Sequence, residues 1–531
     1  MRHDVWVAGR ATNALRQFRW AGPALTGSVV ALLLIGAMLI AVGMVLGLIN
    51  PRDVGYPDSS ILLTIREVAH SGHIYPEINR PPYQVTVYGP LLYLLLAIPY
   101  GLAQSVGIAP QTLVRLVIAG ALCICILLIF VIGRRLYGSR PIALLSVLFA
   151  LSTLPLAYWT TQIRPDFLAL GCALLSVYLF LLTNGRPPAA SSAICAGIAL
   201  LIKQTFVAAP ISIVGWLIYR RRYKEAFLWA VCFAVTVAGG YALVGWREPL
   251  MLENITALRR PIFEYRQALD ILANAVSQPV SLFAALGALA ILWKRTPEGL
   301  LFLIYCATAW LVALLTIPQA GGGINYFWEP LLASAVFAGP GFDELRRKTN
   351  QTPPLVTALL LLLLLRAFLP ILHDDIGALR QRYWEASTYA ARKAKWESFV
   401  SVVSGRRLLS TFPDVTIHSR IPEIPDPYLN NMLKLRGRWN SGPVVDEIDR
   451  GVFDLIVIGP NDKVGWRGLR AWDDAMWGAL KTKYRFACVF DRMEVWLPRQ
   501  RAGEILPSLS AIGCEAPATH TLLEDDPALN R

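Results

Sequence analysis

Apolar runs of near-membrane length recur along the first 370 or so residues of this chain, and they constrain the fold more than any other feature. A helix needs about 20 predominantly apolar residues to cross the hydrocarbon core. Residues 25–49, 112–132, 141–158, 167–182, 227–244, 300–316 and 355–372 approach or exceed that length. Shorter or interrupted runs cover 189–201, 206–219, 280–293 and 326–337. Together they predict about eleven transmembrane helices. Arg10, Arg16 and Arg19 precede the first run. That run exceeds the 7 to 15 residues of a signal-peptide core, so it reads as a first membrane helix and not as a cleaved leader.

Basic residues between the runs set the orientation. Arg134-Arg135, Arg220 to Arg222, Lys294-Arg295 and Arg346 to Lys348 form short clusters, as cytoplasmic loops do. One further apolar run, 91–102, contains Pro99 and is ambiguous. If it spans, the first three clusters fall outside while the basic N-terminus lies inside. If it lies in the outer interface, all four fall inside with the N-terminus. The positive-inside rule selects the second arrangement. The chain is therefore expected in the inner (plasma) membrane, multi-pass, with its N-terminus cytoplasmic and its C-terminal domain periplasmic or extracellular.

Composition agrees with lipid as the solvent. Hydrophobic residues make up 55% of the chain and charged ones only 16%, against about 25% charged in soluble domains. The formal net charge of +14 could serve nucleic acid. Its confinement to short inter-span clusters argues against that partner. Six of the eight cysteines lie in apolar runs and read as small packing residues. No Cys or His spacing indicates a metal.

Past residue 372 the composition becomes mixed and charged. Short helices are expected near 428–434 and 443–448. Strands are expected at 454–459, 486–489 and 493–497, the last two around the Asp491-Arg492 turn. The organisation read from this is a membrane domain over 1–372, a small α/β domain over 373–513 and a flexible tail over 514–531. Cys488 and Cys514 are the two cysteines outside the membrane region. In an oxidising outer compartment a bridge between them would pin the tail to the domain. The alternative is a buried Cys488 thiol and a free Cys514.

Four outer loops hold the ionisable residues that meet the membrane face. Asp58, in the loop 50–111, opens a short helix and could be a cap or a catalytic base; Asp53 is an ordinary loop residue. Arg164 and Asp166, in the loop 159–166, lie where ionisable side chains commonly line a functional cavity, although Pro165-Asp166 also suits plain helix initiation. Lys203-Gln204-Thr205 interrupts two short apolar helices. The lysine either snorkels to the interface or offers a compact cation to a phosphate. Before the last outer run stands Gly321-Gly-Gly-Ile-Asn325-Tyr326-Phe-Trp328-Glu329. Its glycines allow close backbone approach. Glu329 lies within the start of a span and calls for a partner, with Arg259 or Arg260 as candidates.

This pattern resembles the GT-C superfamily of membrane glycosyltransferases, in the branch of protein O-mannosyltransferases and the lipid A aminoarabinose transferase. The resemblance covers roughly residues 25–340. The family places an acidic residue after the first helix, then a helix, then a glycine about fourteen residues on; here these are Asp58 and Gly72. Tyr88-Gly89-Pro90-Leu91-Leu-Tyr93 looks like its Tyr/Lys-Pro-Pro-Leu element. Asp166 is similar to the Asp that opens its fourth helix, Lys203 to its mid-chain lysine, and Asn325-Tyr326-Phe327 to its late aromatic element. The chain departs from the family where Asp-Glu becomes Asp58-Ser59 and where Lys-Pro-Pro becomes Tyr-Gly-Pro.

The resemblance implies a polytopic α-helical membrane enzyme with a small C-terminal α/β domain. It implies transfer of a sugar from a polyprenyl-phosphate carrier to a glycan, lipid or protein acceptor on the outer face, with inversion. Asp58 would be the general base and Asp166 a second catalytic acid. Tyr88, Arg164, Lys203, Gln204, Arg259, Asn325 and Tyr326 would bind substrate. The donor lipid is the expected ligand, membrane lipids the surroundings, and a divalent metal is compatible with the family. A transporter would keep its charges nearer the bilayer midplane on broken helices, and a non-catalytic scaffold would not need three ionisable groups at one depth. Convergence of Asp58, Asp166 and Lys203 on one outer cavity separates these readings.

Overall fold

The computed structural model describes residues 21–49, 56–153, 159–183, 190–258, 263–319, 322–349, 354–410, 415, 421–423, 427–459, 472–490 and 493–514. The membrane part begins with α1 (Ala21–Ile49) and a short α2 (Tyr56–Ser71) that ends at Gly72, whose φ of +79° favours glycine. Then come α3 (Pro90–Ser105), α4 (Pro110–Tyr137), α5 (Arg140–Leu151), α6 (Asp166–Leu182), α7 (Ala190–Ile202), α8 (Ala208–Tyr219) and α9 (Tyr223–Arg247). A single-turn α10 (Met251–Ile255) precedes α11 (Tyr265–Ser277), α12 (Pro279–Lys294), α13 (Pro297–Thr316), α14 (Trp328–Thr349) and α15 (Pro354–Val403).

Four helices, α1, α4, α9 and α13, are long and apolar enough to cross a membrane among the described residues. The count is five if α11 and α12, bent by 65° at their junction, form one span. Five further apolar helices, α3 and α5 to α8, are shorter than a span. Aromatic rings tie the bundle together: Phe149, Phe283 and Phe342 meet in tilted and edge-to-face contacts across α5, α12 and α14. The ambiguous run 91–102 is α3. It buries Leu92, Tyr93 and Leu96 and exposes Leu94, Leu95 and Ile98, the two-faced pattern of a helix between protein and lipid.

The compositional change at residue 373 falls inside a helix. α15 runs unbroken for 50 residues, and its buried Arg382 donates to the carbonyl of Gly43 on α1 (2.6 Å) and to Thr161 Oγ1 (3.1 Å). The charged residues beyond 373 continue the helix because they keep one face packed while the other meets water.

The C-terminal region contains β1 (Arg407–Ser410), β2 (Ile421–Glu423), α16 (Pro427–Leu435), α17 (Gly442–Asp449), β3 (Leu455–Ile458), α18 (Asp474–Lys483), β4 (Tyr484–Phe490), β5 (Met493–Pro498) and α19 (Ala502–Ala511). The sheet order is β2-β1-β3-β5-β4, with β1 parallel to β2 and β3, and β5 antiparallel to β3 and β4. β3 is buried on both faces. Ile456 and Ile458 join one core with α16, α17 and α18; Leu455 and Val457 join another with α15 and α19. This is the continuous apolar strand that two covered faces require. The expected short helices and the strands at 454–459, 486–489 and 493–497 are present. β1, β2, α18 and α19 were not expected. The Asp491-Arg492 turn lies outside the described residues.

Cys488 and Cys514 are joined in a disulfide with a Cα separation of 5.5 Å. Cys514 is thus held against the second core, and the expected tail lies beyond it, outside the described residues. The C-terminal region does not stand apart. Its first core includes Ile78, Tyr83, Val85 and Ala257 from the membrane-domain loops. Asn430 Nδ2 donates to the Tyr83 carbonyl at 2.8 Å, and Asn440 N–H to Asn79 Oδ1 at 3.0 Å.

Candidate functional site

Asp58 sits in the first turn of α2, fully buried. It is not the helix cap. Its carboxylate faces the loop before α6, where Arg164 Nε lies 3.5 Å from Oδ1. With its amide nitrogen turned toward Asp58, Gln162 donates to both carboxylate oxygens, at 3.2 and 2.5 Å. The Arg164 guanidinium also rests on the Trp159 ring, 4.9 Å from its centroid. The partners of the base candidate thus include a cation and an amide.

Asp166 is the first residue of α6, and its side chain caps nothing. Oδ1 instead accepts from Lys203 Nζ at 2.6 Å and from Asn325 Nδ2 at 3.3 Å. Lys203 lies where α7 ends, before α8 begins, and only about 4% of it is exposed. Phe206 N–H bonds back to its carbonyl at 3.1 Å, tightening the break. The ammonium stands 5.0 Å above the Tyr326 ring and 5.8 Å from Phe206. Burial alone would lower its pKa, but Asp166, Tyr326 and Tyr88 outweigh that and hold it above the usual lysine value. The lysine is thus a fixed cation and not one that snorkels to water.

The break between α7 and α8 also positions the loop before α3. Gly89 N–H donates to the Ile202 carbonyl at 3.2 Å, and a Cβ there would strike the Leu201 carbonyl. Gln204 Nε2 donates to the Val87 carbonyl at 3.2 Å. A glycine in the Tyr-Gly-Pro element is what brings Tyr88 beside Lys203.

These residues surround a cavity of about 520 Å³. Arg164, Lys203, Gln204, Tyr88 and Tyr326 line it; Asp58 and Asp166 stand behind the two cations. Asn325 lines a smaller adjoining cavity with Glu329. Arg259 and Asp53 lie outside the described residues. Arg260, like Arg259, lies outside the described residues, and among those described Glu329 accepts from Tyr305 Oη on α13 at 3.0 Å.

Some contributors were missed. Gln162 carried a signal, since it stands in the polar interruption 160–164. Leu429 and Met432, one turn apart on α16, complete the cavity wall from the C-terminal region, and nothing in their sequence marks them. Among the described residues no three His, Cys, Asp or Glu side chains gather as metal ligands.

A helical bundle carries two acid–cation pairs beneath a cavity roofed by a small α/β domain. Comparison with known proteins agrees in fold with the resemblance read from the sequence. Residues 89–244 match the family described as dolichyl-phosphate-mannose-protein mannosyltransferase. The chain is similar to ArnT from Cupriavidus metallidurans in the apo state, at 15% identity and a TM-score of 0.57, covering 89% of this chain and 98% of that one. It is similar also to ArnT from the same organism bound to undecaprenyl phosphate, at 14% identity and a TM-score of 0.56, with the same coverage. No curated protein sequence matches the chain.

Proposed function

We propose that this protein transfers a sugar from a polyprenyl-phosphate-linked donor to an acceptor hydroxyl, with inversion, in the cavity above Arg164 and Lys203. The observation that carries the reading is the meeting of two cations from different loops, a buried lysine and a partly buried arginine, at one cavity wall, each backed by its own buried carboxylate. A lipid phosphate supplies the anion that such a wall attracts. ArnT, of the same fold, has been captured with undecaprenyl phosphate.

The division of labour follows from the pairs. Asp166 orients Lys203 toward the donor phosphate, and Tyr88, Gln204, Asn325 and Tyr326 shape the space around phosphate and sugar. Asp58 takes the acceptor proton as the anomeric bond breaks. The electron pair of that bond leaves with the carrier phosphate, whose charge the two cations stabilise. Arg164 covers Asp58. A donor phosphate draws Arg164 toward itself and uncovers the base, so the donor binds first. Arg259 belongs to the same phosphate side in this reading. The cavity opens outside the cytoplasm, with the C-terminal domain on that face.

A transfer assay tests this. Membranes carrying the protein are given radiolabelled polyprenyl-phosphate sugars and membrane extract. The expected result is label moved from the carrier to an extract component, dependent on Asp58. No transfer from any such donor by folded protein would overturn the reading.

A further inference from the structure

α15 carries an ionisable residue that the catalytic reading does not use. Arg366 is the one charged residue in the apolar run 355–372. Leu364 and Phe368 face the membrane core, whereas Arg366, Leu362 and Leu369 are exposed on the opposite side. Arg366 has no ion-pair or hydrogen-bond partner among the described residues. A cation left so in hydrocarbon costs about 2.5–3.5 kcal/mol on insertion scales. Nothing among the described residues neutralises it, which leaves room for a partner from the lipid phase.

The surroundings say what. Arg366, Pro370, His373 and Asp374 follow at helical spacing and line one groove of about 640 Å³ with Leu362, Leu365 and Leu369. Pro370 has no N–H, so the Arg366 carbonyl, four residues earlier, loses its helical donor at the same turn. The apolar run ends six residues beyond Arg366, about 9 Å along the axis. That is within reach of a guanidinium extended toward the headgroup region. Further along α15, Arg382 touches Thr161 of the loop that carries Arg164, so the groove opens to the leaflet on the side of the cavity.

We infer that this groove binds one membrane phospholipid with a phosphoethanolamine-type headgroup. Its phosphate pairs with Arg366. Its ammonium meets Asp374 at the headgroup end, and its acyl chains lie along Leu362 and Leu369. Charge complementarity selects this headgroup. A net-anionic lipid would meet the carboxylate of Asp374, and a quaternary amine offers that carboxylate no N–H.

Native mass spectrometry of the full chain, released from micelles holding defined lipids, tests the site. Wild type should retain one phosphatidylethanolamine under conditions that strip the rest, and Arg366→Gln should lose it by at least tenfold. Phosphatidylcholine should be retained at least tenfold less. Asp374→Asn should erase the preference for phosphatidylethanolamine over phosphatidylglycerol. Removing a cation from an apolar run favours insertion, so Arg366→Gln should fold. An unchanged circular dichroism spectrum and melting temperature check that. Arg366→Lys, which keeps the charge, should keep the lipid. Equal retention in wild type and Arg366→Gln, or loss of all lipids alike, would overturn the site. Neither result depends on transfer activity, so the catalytic reading stands or falls separately.

Discussion

Arg164 is the residue on which the proposed chemistry turns, because it faces Asp58 on one side and the cavity on the other. Asp58→Asn keeps the shape and removes the basicity. Transfer should fall about 10²- to 10⁴-fold while undecaprenyl phosphate binding persists, read by turnover and by ligand titration. A near wild-type rate in folded protein would reject Asp58 as the base. Lys203→Ala acts twice. It removes a cation proposed to hold the phosphate, which should raise the donor KM above any change in the acceptor KM. It also leaves Asp166 buried without its ammonium, which costs about 3–5 kcal/mol when a buried pair is broken. Pairing it with Asp166→Asn should restore much of the melting temperature and none of the donor binding. Restored donor binding in that double variant would remove Lys203 from the phosphate site.

Elements are held by close approaches that single residues permit. At Gly89 an added Cβ meets backbone, the Leu201 carbonyl, which cannot rotate away as a side chain can. Gly89→Ala should destabilise by about 1–3 kcal/mol, seen as a lower melting temperature. Gly101→Ala, with open space around it, should leave the melting temperature unchanged. In the C-terminal region Asp473 caps α18, accepting from Met476 N–H at 2.8 Å, and also pairs with Lys434 of α16. Burial would raise its pKa, but the hydrogen bonds from Lys434, Met476 N–H and Ser441 outweigh burial and hold the carboxyl below its usual range. A depressed folded pKa means stability that is present above the unfolded value of about 3.9 and lost as pH falls through the folded one. Asp473→Asn should therefore flatten the acid limb of unfolding below about pH 4. An acid limb identical to wild type would show that the pair contributes nothing.

Across the whole molecule, every described group of the site comes from a segment assigned to the outer face. Asp58, Arg164, Lys203 and Tyr326 lie 268 residues apart at most, yet the last three line one cavity and Asp58 stands behind Arg164. Side orientation is tested by thiol labelling. A cysteine at Ser139 should react only from the cytoplasm, and one at Ser441 only from outside. Labelling of position 441 from the cytoplasm alone would reverse the topology. The region 427–514 is tied to the membrane domain by a shared core and by Asn430, so it is a fixed roof over the cavity. Its disulfide closes a separation of 26 residues. Cys514→Ser should destabilise that region by about 3 kcal/mol on the chain-entropy account, read by its protection from proteolysis.

Apolar periodicity and length are local properties, and they determined the membrane helices, the buried strand at 454–459 and the breaks at Lys203 and before Glu329. Residue chemistry at those breaks singled out Asp58, Arg164, Asp166 and Lys203, because a charge at a membrane boundary is costly wherever the chain goes next. Partnership is not local. That Asp58 faces Arg164, that Asp166 faces Lys203, and that Glu329 accepts from the Tyr305 phenol were decided by which loops and helices the packing brings together. The continuation of α15 past residue 373 was decided the same way, since a mixed sequence stays helical when one face is buried. The place of Leu429 and Met432 on the cavity wall was wholly tertiary. Ordinary apolar residues on a short helix take on a role only through what the shared core sets them against.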